Sequence, residues 1–243
     1  MLQALRDVGF DIESTSHAEA ILSRDFPTTE AELGGILSDF RISSREIVSG
    51  GGGEAVFTQR LRKQLSSRGW KKQNFDVSIT INGQQYESSS HEVDHVKAFD
   101  SGSIALEIEW NNKDPFYDRD LENFQRLHAY RAISVGIVIT RGSSIQANIL
   151  DVVREAAVRM GLNDFTDLQV NGMPITSRQR KMVQNGIEKK GLPFTQAWAR
   201  MFVNDKYGTA TTHWDKLMSR VERGVGSPCP MLFIGLPLSI IEQ

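Results

Sequence analysis

Three carboxylates occur at a spacing that could bind a metal ion. Glu107 and Glu109 lie in the otherwise apolar stretch IALEIEW, and Asp94 lies in the preceding stretch HEVDHVKAF. Residues two apart in a strand face the same side, and a hairpin can place Asp94 beside Glu107. Two carboxylates about 4 Å apart repel by roughly 4 kcal/mol at an effective dielectric constant near 20, so they require a cation or a proton between them.

The types of ligand available favour magnesium. Carboxylate and carbonyl oxygens suit Mg2+, and the sequence has no His or Cys cluster with the spacing of a zinc site. Such an ion lowers the pKa of a bound water and stabilises charge on a phosphoryl oxygen, which is the chemistry of a nuclease. The alternative for the same residues is that all three carboxylates lie on the wet face of an ordinary hairpin.

Alternating hydrophobicity predicts the strands that would position these carboxylates. The stretch FDVSITING alternates apolar and polar residues and ends in the turn signal Asn82-Gly83, so it begins an antiparallel hairpin. The polar turn DSGS joins HEVDHVKAF to IALEIEW in a second hairpin. The stretch ISVGIVIT is apolar on both faces, which predicts a buried strand parallel to IALEIEW.

Helices are predicted between and around these strands. Asp114 as N-cap and Pro115 in the first turn begin a helix that runs to about Arg131. Thr29 and Glu32 have the spacing of a capping box for a short N-terminal helix. Further helices are predicted from Glu54 to about Ser67 and in the stretches QANILDVVREAAVRM and FTQAWARMFV, and the stretch MLFIGLPLSI predicts a last strand.

These elements predict an α/β protein with a central mixed β-sheet flanked by helices. We expect a single domain over residues 1–243, with residues 1–50 as a helical N-terminal elaboration. Hydrophobic residues make up 40% and charged residues 24% of the chain, which are ordinary globular values. The net charge of −2 means that nucleic acid could be bound only through a local basic face.

The composition also bears on the compartment. The lone Cys229 cannot form an internal disulfide and is expected to be a small buried residue, which fits a reducing cytoplasm. The chain begins without the pattern of a signal peptide, and no stretch approaches the ~20 apolar residues of a membrane span. We therefore expect a cytoplasmic protein with no membrane partner.

The arrangement of strands and carboxylates resembles the PD-(D/E)xK nuclease core. More narrowly, it is similar to the BamHI/BglII/BstYI group of type II restriction endonucleases, which cut at sites with a GATC centre. The resemblance runs from about Glu54 to Leu236. It rests on GWKKQ, EVDHVKAF, LEIEWNNKDPFYDRDLENFQRL, ISVGIVITRG, KYGTATTHWDKL and RVERGVGSPCPMLFIG.

The resemblance implies a role for each carboxylate. Asp94 would bridge the metal and Glu107 would be a second ligand. Glu109 would occupy the usual lysine position, where members of this group have Glu or Gln. Because Glu109 can only accept hydrogen bonds, it would position the attacking water or act as general base.

A further position near the metal is left open between two residues. Gln73 matches a position where relatives place Glu or Asn near the metal. Glu54, at the start of a predicted helix, is the alternative for an upstream acidic role, and it could equally be a carboxylate favoured by the helix dipole.

Two segments are expected to contact DNA. Asn111 and Asn112 could pair with base edges and Lys113 could reach phosphate, although these residues could also form a plain polar turn. The second segment could equally be the capped start of a helix. Its candidate residues are Lys206, Thr209, Thr211, Thr212, His213 and Lys216.

The resemblance implies a complete activity. The protein would hydrolyse double-stranded DNA at a short palindromic site with Mg2+, leaving 5'-phosphates, and would act as a homodimer because the site is twofold. A cognate methyltransferase is implied in the host, though not as a direct partner. The alternatives are a catalytically silent DNA-binding protein on the same fold and a modification-dependent or repair nuclease.

Overall fold

A mixed β-sheet with helices on both faces forms the centre of the protein. The structure is a computed structural model that describes residues 2–49 and 53–242. The strands are β1 (Asp11–Thr15), β2 (Ile42–Ser43), β3 (Lys71–Ile81), β4 (Gln84–Phe99), β5 (Gly102–Glu109), β6 (Val135–Arg141), β7 (Met231–Leu236) and β8 (Ile241–Glu242).

The helices precede, connect and cover these strands. They are α1 (Gln3–Asp7), α2 (Ala18–Asp25), α3 (Thr28–Ser38), α4 (Ser44–Val48), α5 (Val56–Ser67), α6 (Phe116–Ala129), α7 (Ser143–Arg159), α8 (Phe165–Val170), α9 (Ser177–Lys190), α10 (Phe194–Lys206) and α11 (Trp214–Val221), with a short 3-10 helix at Leu238–Ile240.

The order of strands in the main sheet is β1-β7-β6-β5-β4-β3. Strands β5, β6 and β7 are parallel, whereas β3, β4 and β5 form consecutive antiparallel pairs. The predicted hairpins and the parallel crossover from β5 through α6 to β6 are therefore confirmed. Asn82 and Gly83 both have positive φ in the turn between β3 and β4, as a two-residue hairpin turn requires.

The two faces of the sheet pack against different helices. Ile104 and Leu106 of β5 belong to an apolar cluster with residues of α3, α5, α7 and α10. Ala105, on the opposite face, belongs to a second cluster that contains Leu121 and Phe124 of α6. Every residue of β6 is buried, as its doubly apolar pattern predicts. Strand β5 therefore packs against a different apolar cluster on each of its two faces.

Two details of the predicted elements are corrected. Asp114 does not cap α6, whose N-cap is Pro115, because its carboxylate faces the cations Lys216 and Arg220 at 3.6 Å. That helix ends at Ala129, close to the predicted end near Arg131. Thr29 lies buried inside α3 instead of capping it.

The N-terminal segment is not only helical. Residues 2–49 contain α1 to α4 but also β2 and β1, and β1 pairs antiparallel with β7 at the edge of the central sheet. The stretch DIEST shows no clear alternation of apolar and polar residues. It is polar apart from Ile12, which is the buried side chain of β1. The Ser143 amide also donates a hydrogen bond to the Asp11 carboxylate at 2.7 Å, which links β1 to the first turn of α7.

Two expectations from composition bear on the rest of the chain. Cys229 is buried, and burial raises the pKa of its thiol to about 12. In the part of the chain that the structure describes, none of the helices has the length and apolar character needed to cross a membrane.

Replacing Gly136 with valine is expected to destabilise the fold by about 1–3 kcal/mol, because it overpacks the core. A Cβ atom at this position of β6 would lie 2.4 Å from Cδ2 of Phe124, a fully buried residue of α6. The control is Gly35→Ala in α3, where an added Cβ meets no atom within 4 Å and the better helix former stabilises. Urea unfolding of both variants measures the difference, and equal midpoints would contradict this packing.

Candidate active site

The C-terminal end of β5 carries two buried carboxylates. Alternation along the strand places Glu107 and Glu109 on the same face as Ala105, which packs towards α6. Their exposed fractions are 5% and 3%. These two glutamates are therefore not on the wet face of an ordinary hairpin.

Asp94 lies in a β-bulge beside them. The pairs Lys71–Val96 and Gln73–Val93 enclose one residue on β3 but two on β4, and Asp94 is one of these two. A bulge redirects a side chain relative to the regular pleat. The Asp94 amide donates to Oε1 of Glu107 at 3.3 Å, so the two residues are neighbours across the hairpin.

The side chain of Asp94 is half exposed and lies near a cation. Its exposed fraction is 52%, and its Oδ1 is 3.7 Å from Nζ of Lys72. The same ammonium lies 2.6 Å from Glu92. Asp94 is thus more accessible than the two glutamates.

A fourth carboxylate, which the sequence reasoning missed, faces this cluster from α6. Asp120 is 1% exposed, and its Oδ1 accepts from Arg119 at 2.8 Å, whereas its Oδ2 is buried without a hydrogen-bond partner. The spacing from Asp120 to Phe124 and Leu127 is that of one helical face, and this spacing is a signal that could have identified it.

Burial and mutual repulsion shift the pKa values of these groups. Burial, followed by the negative charges of Asp120 and Asp94, raises the pKa of Glu107 well above its ordinary value. Burial and the charge of Asp120 raise the pKa of Glu109 to about 8, against a hydrogen bond from Asn112. Burial also raises the pKa of Asp120 although Arg119 opposes the shift. The fold therefore opposes simultaneous ionisation of these carboxylates unless a cation is bound among them.

The oxygen atoms of these carboxylates are of the chemical type that binds a hard divalent cation. One of them is the unpartnered Oδ2 of Asp120, and carboxylate oxygens are the ligands that Mg2+ prefers. Among residues 2–49 and 53–242, no three or more His, Cys, Asp or Glu side chains are already grouped closely enough to hold a metal ion. The structure therefore brings the carboxylates near one another without forming a closed ligand shell.

An open cavity of about 490 Å³ lies beside the carboxylates. Asp94, Glu109, Asn111, Asn112 and Arg119 are among the residues that line it. The cavity opens to solvent and leaves room for a phosphodiester group to approach Asp94 of β4 and the C-terminal end of β5.

The structure separates the two candidates for the further position near the metal. Glu54 lines the cavity and pairs with Arg62 at 3.0 Å. Gln73 is exposed on β3 beside Val93 and is not among the described residues that line the cavity.

The sequence matches a family of known proteins over most of its length. The sequence model described as "Restriction endonuclease BglII/BglIII" matches residues 10–236. The chain belongs to this family. No curated protein matches the chain closely. The mixed sheet flanked by helices is consistent with the PD-(D/E)xK nuclease fold, and membership identifies the chain as a type II site-specific deoxyribonuclease. Its substrate is double-stranded DNA, and enzymes of this kind generally use divalent metal ions.

The two segments expected to contact DNA lie side by side in this endonuclease. Lys113 and Thr211 form an antiparallel bridge, and the Asp114 amide donates to the Ala210 carbonyl at 3.0 Å. The Thr212 amide donates to the Asn112 carbonyl at 2.8 Å. We refer to residues 111–113 together with 208–212 as the paired loops.

Residues of the paired loops differ in how accessible they are. Lys113 and Thr209 are exposed, and Asn111 is half-buried at the cavity. Asn112 is exposed but donates its amide to Oε2 of Glu109 at 2.7 Å, so it also orients that carboxylate. Thr211 is half-buried.

The remaining candidates for DNA contact lie at the end of the second loop or beside it. Thr212 and His213 are buried, and His213 is the N-cap residue of α11, as the helix-start alternative predicts. Lys216 is partly exposed and faces Asp114 at 3.6 Å. Lys206 is partly buried at the end of α10.

Proposed function

We propose that this endonuclease hydrolyses phosphodiester bonds at a short palindromic site, with a GATC centre, using Mg2+ and leaving 5'-phosphates. The observation that supports the proposal is that Asp94 and Glu109 line one open cavity beside the paired loops, with Glu107 next to Asp94 across the hairpin. Family membership supports the reaction class.

The proposed metal ligands are Asp94 and Glu107. Asp94 is the accessible carboxylate and Glu107 the buried one, and the backbone of the first donates to the side chain of the second. When bound, Mg2+ would supply a bound water of lowered pKa and stabilise charge on the phosphoryl oxygens. The fold opposes simultaneous ionisation of these neighbouring buried carboxylates, and a bound cation would relieve this, which supports a cation at this place.

Glu109 would orient the attacking water and accept its proton. Asn112 holds Oε2 of Glu109 in a fixed direction, and the position of Glu109 at the cavity gives it access to a water. Arg119 lies 3.9 Å from Oε1 of Glu109 at the cavity and would balance charge near the phosphate. Between the two candidates for the further position near the metal, the location of Glu54 at the cavity supports Glu54 over Gln73.

DNA would be held by the paired loops. Asn111 and Asn112 would face base edges, while Lys113 and Lys216 would contact phosphates, with the hydroxyl group of Thr209. The Thr211 hydroxyl donates to the Gly208 carbonyl at 2.7 Å and accepts from Arg141 at 3.0 Å, so it would support the loop. Because Thr212 and His213 are buried, these two side chains would support the second loop rather than contact DNA. A palindromic site requires a twofold protein, so the acting species is a homodimer.

Incubating unmethylated plasmid with the protein and Mg2+ is expected to give discrete fragments that are absent with EDTA. Sequencing the fragment ends identifies the site and the cut position, and ligation tests the 5'-phosphate. A smear or no cleavage would contradict the proposal. A metal-insensitive gel shift without cutting would support a silent DNA-binding protein, and cleavage of methylated plasmid alone would support a modification-dependent nuclease.

A further inference from the structure

Arg141 is a buried cation directly behind the paired loops. It is the last residue of β6, in the middle of the sheet, and its exposed fraction is 0%. Transferring a charge from water into a protein interior is costly unless the charge is paired or fully hydrogen-bonded. The partners of this guanidinium therefore indicate what it does.

The guanidinium donates to both halves of the paired-loop region. Nη1 donates to the carbonyl of Trp110, immediately before the first loop, at 2.9 Å. Nη2 donates to Oγ1 of Thr211 in the second loop at 3.0 Å. Nε donates to Gln146 of α7 at 2.9 Å, which lies outside both loops. One rigid group thus joins segments that are about a hundred residues apart in the sequence.

Aromatic rings, rather than a carboxylate, surround the charge. The guanidinium carbon lies 5.1 Å from the ring centre of Tyr207 and 5.9 Å from that of Trp110. No carboxylate in the described ranges 2–49 and 53–242 forms an ion pair with Arg141, and burial lowers the pKa of the group to about 10. Since a buried charge is often no more stable than an apolar residue of similar volume, stability alone does not explain an arginine here.

The backbone link between the loops is short. It consists of the two hydrogen bonds donated by the Asp114 and Thr212 amides, which together form the Lys113–Thr211 bridge. A single bridge opens locally more easily than a strand ladder, because only two bonds must break. A planar donor with two directed N–H groups fixes both the separation and the relative orientation of the loops, which a lysine ammonium cannot do.

We propose that Arg141 is a positioning residue for sequence recognition, holding the two loops in the single relative arrangement that reads the DNA. This inference rests on the proposed function. Arg141 itself touches no base, since it is buried behind Trp110 and Thr211. Its effect is on which sites are cut.

The test compares Arg141→Lys with the control Gln146→Leu. The control removes the bond to Nε but leaves both loop bonds. The first readout needs no DNA: hydrogen exchange of the Asp114 and Thr212 amides, which donate from one loop to the other, is expected to accelerate at least tenfold in Arg141→Lys and to be unchanged in the control.

The second readout is specificity, measured by cutting a randomised duplex pool with Mg2+ and sequencing the ends. The preference for the best site over sites with one changed base pair is expected to fall at least tenfold in Arg141→Lys, because loops that move lose directed base contacts. The control is expected to keep the wild-type preference.

The outcomes separate the inference from the proposed function. Unchanged exchange, or faster exchange with unchanged preference, would overturn the positioning role while leaving the nuclease intact. Wild-type protein that cuts no site would overturn the proposed function and the recognition role with it. Should Arg141→Lys fail to fold, Thr211→Val removes one loop bond and retains the arginine, and unchanged exchange and preference in that variant would overturn the inference.

Discussion

Asp94→Asn is expected to lower the rate of plasmid cleavage by at least about 1,000-fold. The substitution keeps the size of the side chain but removes the charge of the accessible proposed metal ligand. Metal stabilisation of the transition state amounts to several kcal/mol, and each 1.36 kcal/mol changes the rate tenfold. Initial rates of conversion of supercoiled plasmid at saturating Mg2+ measure the effect.

Glu92→Gln is the matched control for this variant. Glu92 lies two residues away on β4, is 53% exposed and pairs with the same Lys72 at 2.6 Å. It lies outside the described lining of the cavity, so its loss is expected to change the rate only a few-fold. Equal losses in the two variants would mean that Lys72 pairing, rather than metal binding, explains the role of Asp94.

Glu107→Gln is expected to abolish stabilisation of the protein by Mg2+. A ligand that binds only the folded state at ten times its Kd adds about 1.4 kcal/mol of stability. For a chain of this size that corresponds to a rise in Tm of about 3–6 °C. The variant lacks the charge of the proposed buried ligand, so its Tm should be the same with Mg2+ and with EDTA.

The same variant is expected to be no less stable than wild type in EDTA. The introduced glutamine would keep an oxygen that accepts the Asp94 amide, while repulsion from Asp120 and Asp94 is removed. Calorimetry of wild type, Glu107→Gln and Glu92→Gln with and without Mg2+ measures both effects. A magnesium-dependent rise in Tm that persists in Glu107→Gln would place the ion elsewhere.

Local pattern predicted the strands and the hairpins well. Alternation in FDVSITING and the Asn82-Gly83 turn gave β3 and β4, and the doubly apolar stretch ISVGIVIT gave β6. Caps were predicted less well. Asp114 has the residue type of an N-cap, but Arg220 and Lys216 compete for its carboxylate, and this competition is invisible in a short window.

The candidate site was predicted only in part for a similar reason. Glu107 and Glu109 could be assigned to one face from their spacing, because strand periodicity is local. The bulge at Asp94 depends on how β3 pairs with β4, which spacing does not reveal. Asp120 was missed because a single acidic residue in a helix has an exposed position as its ordinary interpretation.

The amino-acid sequence was sufficient for the α/β class, the order of the central elements and the shared face of Glu107 and Glu109, since each depends on periodicity or on motifs within about thirty residues. The joining of the paired loops, the edge position of β1 and the burial of Arg141 required tertiary structure. Each depends on contacts between residues about 70 to 220 positions apart. Such contacts arise from packing of the whole chain, and no short stretch encodes them.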